Sequence, residues 1–183
     1  CGPNCVGLMN TAVPVTSTFS TVLHELDALQ SGGISFLSQS GGLATTAMSI
    51  ALRAGFGFRH LVSGGNEAVV TFSDYLHALA IDDGTKVIAG YLEGVSDPER
   101  LLRALEEAKR RDKPVVLVKS GSTGASARAA MAHTGSLVGE DRVVDAILRE
   151  MGVIRVGSVE AMVDVALMLA SLGPARRPRG NAI

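Results

Sequence analysis

The chain has 183 residues, of which 46% are hydrophobic and 19% charged, and its formal net charge is −1. This composition favours one folded domain, with or without an arm, and excludes wholesale disorder and a strongly basic nucleic-acid-binding surface. The sequence has no apolar run of the roughly 18 residues that a membrane helix needs and no signal peptide, so we expect a cytoplasmic protein without membrane or nucleic-acid partners.

Short segments rich in valine and isoleucine alternate with segments of helical spacing along most of the chain. Strands are predicted at residues 34–38, 60–65, 86–93, 114–120 and 152–156. Apolar stripes predict helices over residues 43–52, 70–83, 101–108, 143–151 and 162–169. Asp97, Pro98 and Glu99 indicate a helix start, and Gly152 indicates a helix end. The alternation predicts an α/β fold that is doubly wound around a mostly parallel sheet.

The segment after the first of these strands is a candidate anion site, because ligands of such folds bind at the carboxyl ends of the strands. Ser40, Gly41 and Gly42 stand where that strand passes into a helix. The unpaired N–H groups and the dipole of a helix start favour phosphate. The alternative is an ordinary helix start with a serine N-cap.

A second glycine-rich turn follows another predicted strand. It contains Gly64, Gly65 and Asn66, for which phosphate binding and a plain turn with positive φ are both open. Glu67, the next residue, is expected to be a solvated carboxylate at a helix start.

Two further residues could carry chemistry. Glu93 ends an apolar strand, where a carboxylate can hold one ring nitrogen of a histidine as N–H and leave the other free to attack. His133 lies in a long segment rich in Gly, Ser and Ala, and it is the residue of that segment that is capable of nucleophilic work near neutral pH. The remaining histidines have ordinary strand or helix contexts, namely His24, His60 and His77.

Six motifs occur in order along nearly the whole chain, and together they resemble one family. They are GPNCVG, SQSGG, SGGNEA, YLEG, KSG and AHTGSLVG. In this order and at these separations they are similar to the NDP-forming acyl-CoA synthetases, the superfamily that includes succinyl-CoA synthetase and ADP-forming acetyl-CoA synthetase. The resemblance implies a flavodoxin-like domain that carries a phosphorylated histidine.

The resemblance also implies roles for particular residues. His133 matches the phosphohistidine, Glu93 the acid that steadies it, and Ser40 with Gly41 and Gly42 the helix start that holds the phosphoryl group. The implied reaction converts a carboxylic acid, CoA and ATP to acyl-CoA, ADP and phosphate through an acyl phosphate and a phosphoenzyme. The complete enzyme is expected to use CoA and ATP or ADP with Mg, and this domain is expected to have no cofactor of its own.

The same resemblance suggests how the chain is organised. Residues 1–30 are expected to be an N-terminal arm, the tail of a CoA-binding domain; residues 31–172 form the succinyl-CoA-ligase-like flavodoxin domain; and residues 173–183 are a polar tail. The expected partners are the CoA-binding and ATP-grasp domains, as fused regions or subunits, and a homo-oligomer is open. We therefore expect the chain to be a piece of a larger enzyme and to be inactive alone.

Two other interpretations stay open. Some members of this superfamily are fused to acetyltransferase domains and act as regulatory ligand-sensing modules, typically without the phosphohistidine, so the presence of His133 argues against this interpretation. A flavodoxin-like domain that only mediates assembly is the other; with 4% aromatic residues and no Trp, the chain has little with which to stack a flavin.

Overall fold

The computed structural model describes residues 1–22, 31–120 and 138–173, without the side chains of 138–141. The strands in these ranges are β1 (Gly7–Asn10), β2 (Val15–Thr18), β3 (Ile34–Ser38), β4 (Phe58–Ser63), β5 (Val87–Leu92), β6 (Val115–Lys119) and β7 (Ile154–Arg155). The helices are α1 (Gly41–Arg53), α2 (Phe72–Ile81), α3 (Pro98–Arg110), α4 (Val138–Glu150) and α5 (Val159–Leu172). None of the helices within the described ranges is long and apolar enough to cross a membrane.

The strands form one sheet in the order β2, β1, β4, β3, β5, β6, β7. The five strands from β4 to β7 run parallel, and their spatial order is the flavodoxin-like order 2-1-3-4-5. The predicted doubly wound α/β fold is therefore confirmed. All five strands foreseen from the sequence are present, with shifts of up to two residues at their ends.

Apolar side chains cover both faces of the sheet. Along β3, Phe36 packs with the cluster that includes α1 and α5, whereas Leu37 packs with the cluster that includes α2, α3 and α4. Both side chains are fully buried, as expected where a parallel strand has helices on its two faces.

Helix ends follow the local signals in the sequence. Asp97 caps α3 by accepting the N–H of Arg100 at 2.9 Å, and Pro98 is the first residue of that helix. Thr71 begins α2 with a capping box that it shares with Asp74. These caps fix where the loops at the strand ends pass into helices.

The sheet continues into the segment for which the sequence analysis predicts an arm. β1 pairs antiparallel with β4, for example Leu8 with Val62, and β2 pairs antiparallel with β1 at the edge. Met9 of β1 is only 4% exposed and belongs to the core. Residues 7–18 are thus integrated with the sheet, and no signal in the sequence analysis predicted these two strands.

Candidate functional site

The candidate site lies where the order of the parallel strands reverses. β3 is the first parallel strand in the chain, and it lies between β4 and β5. The helices that follow β3 and β5, α1 and α3, pack on opposite faces of the sheet, so the loops after these strands diverge and leave a crevice at the carboxyl edge. The loop after β3 contains Gln39 and Ser40, and the loop after β5 begins with Glu93.

The start of α1 has unused backbone donors. Ser40 is the N-cap, and its Oγ accepts the N–H of Leu43 at 3.4 Å. The N–H groups of Gly41 and Gly42 belong to the first turn, so the helix offers them no acceptor. Within the described ranges no hydrogen bond uses them. The first turn has no acidic residue. This helix start can therefore accept an anion through two N–H groups and the helix dipole.

The two glycines of this helix start face different surroundings. A Cβ on Gly41 would collide with the side chain of Val6, which lies in the N-terminal loop. A Cβ on Gly42 would meet nothing within 4 Å. Gly41 therefore lets the N-terminal loop pack against α1, whereas Gly42 faces open space through which a ligand could approach.

Gln39 connects the two loops of the crevice. Its Oε1 accepts the N–H of Glu93 at 2.6 Å and the N–H of Gly94 at 3.1 Å, and its Nε2 donates to the carbonyl of Gly94 at 2.9 Å. These three bonds fix the backbone of Glu93 relative to the start of α1. The sequence analysis did not single out Gln39, and no local signal identifies its bonding partners, which lie 54 and 55 residues along the chain.

The main chain of Glu93 is also held from the next strand. The Nζ of Lys119 at the end of β6 donates to the carbonyl of Glu93 at 3.1 Å and to the carbonyl of Ser120 at 2.9 Å. Lys119 is only 7% exposed. Its hydrogen bond to the carbonyl of Glu93 places the ammonium group beside the crevice. The carboxylate of Glu93 has no hydrogen bond or ion pair within the described ranges. Its position at a strand end agrees with the predicted strand, and its role stays a prediction.

The glycine turn after β4 seats the N-terminal loop. The N–H of Gly64 donates to the carbonyl of Ser38 at 2.8 Å, and the N–H of Asn66 donates to the carbonyl of Pro3 at 2.9 Å. Gly65 has φ of 63°, and a Cβ there would collide with the carbonyl oxygen of Pro3. The backbone N–H groups of Gly64 and Asn66 are therefore already hydrogen bonded within the chain. Phosphate binding by this turn stays a prediction, and these two N–H groups do not support it.

Glu67 differs from the solvated carboxylate at a helix start that the sequence suggests. It lies five residues before α2 begins, with φ of 54°, a left-handed conformation that is uncommon for a residue with a side chain. Its Oε1 is buried and has no hydrogen-bond partner among the described residues. That oxygen lies against Gly64, where an added Cβ would be 2.9 Å away.

The environment of Glu67 favours the neutral acid. Burial raises the pKa of its carboxyl group, and the negative charges of Asp74 and Glu93 raise it further. The backbone of Phe72 and the side-chain amide of Gln39 act in the opposite direction, because they stabilise the ionised form. The net effect is a raised pKa for a carboxyl group beside the crevice.

His133 lies outside the described residues, as does His24. The structure therefore brings Ser40, Gly41, Gly42 and Glu93 to one edge of the sheet without describing the histidine itself. The described part of the chain also has no group of three or more His, Cys, Asp or Glu residues that could hold a metal ion.

A second polar cluster lies at the opposite edge of the sheet. Ser35 Oγ is 3.0 Å from His60 Nδ1 and 2.7 Å from Thr85 Oγ1, and Thr85 donates to Asp82 at 2.6 Å. Arg59 donates to the same carboxylate at 2.6 Å. Ser35 is fully buried, so this cluster connects β3, β4 and the loop before β5 and offers no accessible nucleophile.

The fold defines the class of this domain, and similarity to known proteins identifies its family. The flavodoxin-like strand order, with α1 starting at the point where that order reverses, defines a doubly wound α/β domain. Residues 31–169 match the family model for the succinyl-CoA ligase like flavodoxin domain, and the chain belongs to that family.

Individual relatives are ADP-forming ligases. The chain is 44% identical over 168 residues to "Acetate--CoA ligase [ADP-forming] I" of Archaeoglobus fulgidus, which covers 92% of this chain and 24% of that protein. It is 33% identical over 182 residues to "Acetate--CoA ligase [ADP-forming] II subunit alpha" of Pyrococcus furiosus, which covers 100% of this chain and 37% of that subunit.

A solved structure has the same fold. The dinucleotide-forming acetyl-coenzyme A synthetase 1 of Ca. Korarchaeum cryptofilum, in complex with phosphate and ADP, superimposes with a TM-score of 0.80 at 30% identity. The match covers 92% of this chain and 36% of that one. The chain thus spans between about a quarter and two fifths of the length of these relatives.

Proposed function

We propose that this chain is the phosphohistidine-carrying domain of an ADP-forming acyl-CoA synthetase, which converts a carboxylic acid, CoA and ATP to acyl-CoA, ADP and phosphate. One observation carries the proposal. Gln39 holds the backbone of Glu93 next to the start of α1, where the N–H groups of Gly41 and Gly42 are unused. Membership of the succinyl-CoA ligase like family and the names of the relatives support it.

In the direction of acyl-CoA synthesis, the proposed nucleophile is one imidazole nitrogen of His133. Its lone pair forms an N–P bond with the γ-phosphorus of ATP, the P–O bond to ADP breaks, and ADP leaves. Glu93 accepts a hydrogen bond from the other ring N–H, which fixes the tautomer and stabilises the positive charge that develops on the ring.

The phosphoryl group is then proposed to move to the carboxylic acid at the crevice. A carboxylate oxygen attacks phosphorus, the N–P bond breaks, and the acyl phosphate forms. The N–H groups of Gly41 and Gly42 would neutralise charge on the phosphoryl oxygens without offering a competing amine nucleophile. Attack of the CoA thiol on the acyl carbon, with loss of its proton and release of phosphate, completes the reaction.

CoA, ATP and the regions that bind them are part of this proposal. The names of the relatives support the use of CoA and the formation of ADP. We propose that a CoA-binding domain, whose polypeptide continues into residues 1–30, and an ATP-grasp domain supply those sites. We propose that Mg accompanies the nucleotide in the complete enzyme; the described residues include no group of three or more His, Cys, Asp or Glu that could hold a metal ion. Both described cysteines are free thiols, which fits the proposed cytoplasmic location.

The test is labelling of the complete protein that contains this chain with ATP radiolabelled at the γ-phosphate. We expect an alkali-stable, acid-labile protein label that His133→Ala abolishes. We expect Glu93→Gln to slow labelling about 10²-fold, the lower end of acid–base contributions. Asp83→Asn is the matched control, because it also removes one acidic charge but lies 98% exposed beside Arg111, far from the crevice.

Three results would contradict the proposal. They are a label that survives His133→Ala, a label with the stability of a phosphoserine, and a complete protein that binds acyl-CoA but never takes up label. The last result would indicate the regulatory ligand-sensing module instead.

A further inference from the structure

Two thiols face each other in the N-terminal loop. The Sγ atoms of Cys1 and Cys5 lie 3.8 Å apart, which is close to van der Waals contact for two sulfur atoms. Both are free thiols, and the 183-residue sequence contains no other cysteine. The reaction proposed above uses neither of them.

The backbone between the two cysteines brings their sulfur atoms together. Gly2 has φ of 91° and Asn4 has φ of 56°, and these positive values turn the chain back on itself. Gly2 also leaves room for the second thiol, because a Cβ there would be 3.0 Å from the Sγ of Cys5. The sulfur contact therefore results from the conformation of the loop and not from the spacing of the cysteines alone.

Hydrogen bonds hold this loop on the end of β4 and the turn that follows it. The N–H of Gly2 donates to the carbonyl of Gly64 at 3.1 Å, and the carbonyl of Gly2 accepts the N–H of Ala68 at 3.1 Å. The N–H of Val6 donates to the Oγ of Ser63 at 3.1 Å. Because both ends of the loop are bonded to the rest of the fold, the two thiols keep their positions relative to each other.

The two thiols differ in their access to solvent. Cys1 is exposed, whereas Cys5 is half-buried. The S–H of Cys1 donates to the carbonyl of Ser63 at 3.1 Å. An exposed thiol can react with a small disulfide, and a neighbouring thiol in contact with it can then displace the small group. The geometry thus provides an attacking cysteine and a resolving cysteine.

We propose that Cys1 and Cys5 are a redox modification site that forms a reversible disulfide, with a low-molecular-weight disulfide such as oxidised glutathione as the oxidant. Cys1 loses its proton and its Sγ attacks one sulfur of glutathione disulfide; that S–S bond breaks, and one glutathione leaves and takes up a proton. Cys5 then loses its proton and attacks the Sγ of Cys1, and the second glutathione leaves in the same way. Two protein thiols are oxidised, and one glutathione disulfide is reduced to two thiols.

Closure of the disulfide changes how the loop is held. The two sulfur atoms must approach to about 2.05 Å, and Cys1 loses the S–H group that bonds to Ser63. Val6 of the same loop lies against Gly41 at the start of α1, so the modified loop borders the crevice. The inference needs neither His133 nor a bound anion, and its failure would leave the proposed function unchanged.

The experiment follows the 183-residue chain by mass spectrometry in buffers with a series of ratios of reduced to oxidised glutathione. Since the chain has no other cysteine, every change of mass in this experiment belongs to this pair. We expect the wild type to lose two hydrogen atoms, to stay monomeric and to accumulate little mixed disulfide. Excess reduced glutathione should restore both thiols.

Two variants separate the roles of the thiols. Cys5→Ser keeps the exposed thiol without its resolving partner, so it should stop at the mixed disulfide with glutathione. Cys1→Ser keeps only the half-buried thiol and should form the mixed disulfide at least about tenfold more slowly than Cys5→Ser, because the rate of attack depends on access. Ser171→Ala changes an exposed serine of α5 and should react as the wild type does.

The same measurement in urea separates the effect of the fold from that of sequence spacing. The unfolded chain keeps the three residues between the cysteines but loses the contact between their sulfur atoms, so its equilibrium constant for disulfide formation should be at least about tenfold lower. The inference is overturned if the constants in urea and in buffer are equal, or if the folded wild type stops at mixed disulfides or cross-linked dimers. Equal rates for Cys1→Ser and Cys5→Ser would overturn the proposed order of attack.

Discussion

Replacement of Gln39 by Ala tests whether one side chain sets the geometry of the crevice. The change removes two hydrogen bonds accepted by Oε1 and one donated by Nε2. At about 1 kcal/mol net for each bond, the free energy of unfolding should fall by about 3 kcal/mol. Urea denaturation monitored by circular dichroism measures that change.

In the folded state, the loss of these hydrogen bonds should affect only the neighbouring backbone. Amide hydrogen exchange of Glu93 and Gly94 should accelerate markedly, because their N–H groups lose their acceptor, while amides in the centre of β3 stay protected. In the complete protein, phosphorylation of His133 should slow together with this change, since Glu93 is then no longer fixed relative to α1.

A matched pair of changes gives the control. Ser171→Ala removes one exposed hydrogen bond, from Oγ to the carbonyl of Leu167 at 2.8 Å, and should cost less than 1 kcal/mol. Gln39→Glu keeps the acceptor oxygen but places an oxygen against the carbonyl of Gly94, so its stability should improve as the new carboxylate is protonated. If Gln39→Ala costs no more than Ser171→Ala and leaves exchange at Glu93 unchanged, the bridging role of Gln39 is wrong.

Two further predictions concern the helix start and the opposite edge of the sheet. Gly41→Ala should destabilise the fold by about 1–3 kcal/mol because its Cβ collides with Val6, whereas Gly42→Ala meets no atom within 4 Å and should be neutral or stabilising; equal effects in thermal denaturation would contradict this difference. Burial lowers the pKa of His60, against the attraction of Asp82, so the unfolded state binds more protons as pH falls below the unfolded value of about 6.5. The free energy of unfolding should therefore decrease between pH 7.5 and 5, and His60→Asn should reduce that slope; an unchanged slope in the variant would show that other groups cause it.

Much of the fold could be predicted because its signals are local. β3 has five buried residues in a row, and Asp97 with Pro98 stands where α3 begins. β1 and β2 escaped prediction because each has only four residues and neither has a clear alternation of apolar side chains. β1 pairs with β4, about 50 residues along the chain, and β2 pairs only with β1 within the described sheet.

In the candidate site, too, some residues have local sequence signals and others depend on contacts that only the fold creates. Ser40 could be found because an N-cap acts on the next three residues, as its bond to Leu43 shows. Gln39 could not, because its partners lie 54 and 55 residues away and become neighbours only when β3 pairs with β5. Glu67 has a similar dependence, since its burial comes from contacts that the fold creates. The catalytic role of His133 stays a prediction from the sequence motif.

The pairing of β1 with β4 matters for anyone who shortens this protein. The family match begins at residue 31, yet a polypeptide trimmed to that point would lack Met9 from the interior and would leave β4 as a bare edge. Leu61 and Val62 of β4 are apolar, and an unpaired strand edge with apolar side chains can pair with strands of other molecules. Recombinant versions that keep residues 1–22 should therefore stay monodisperse at concentrations where the trimmed form precipitates.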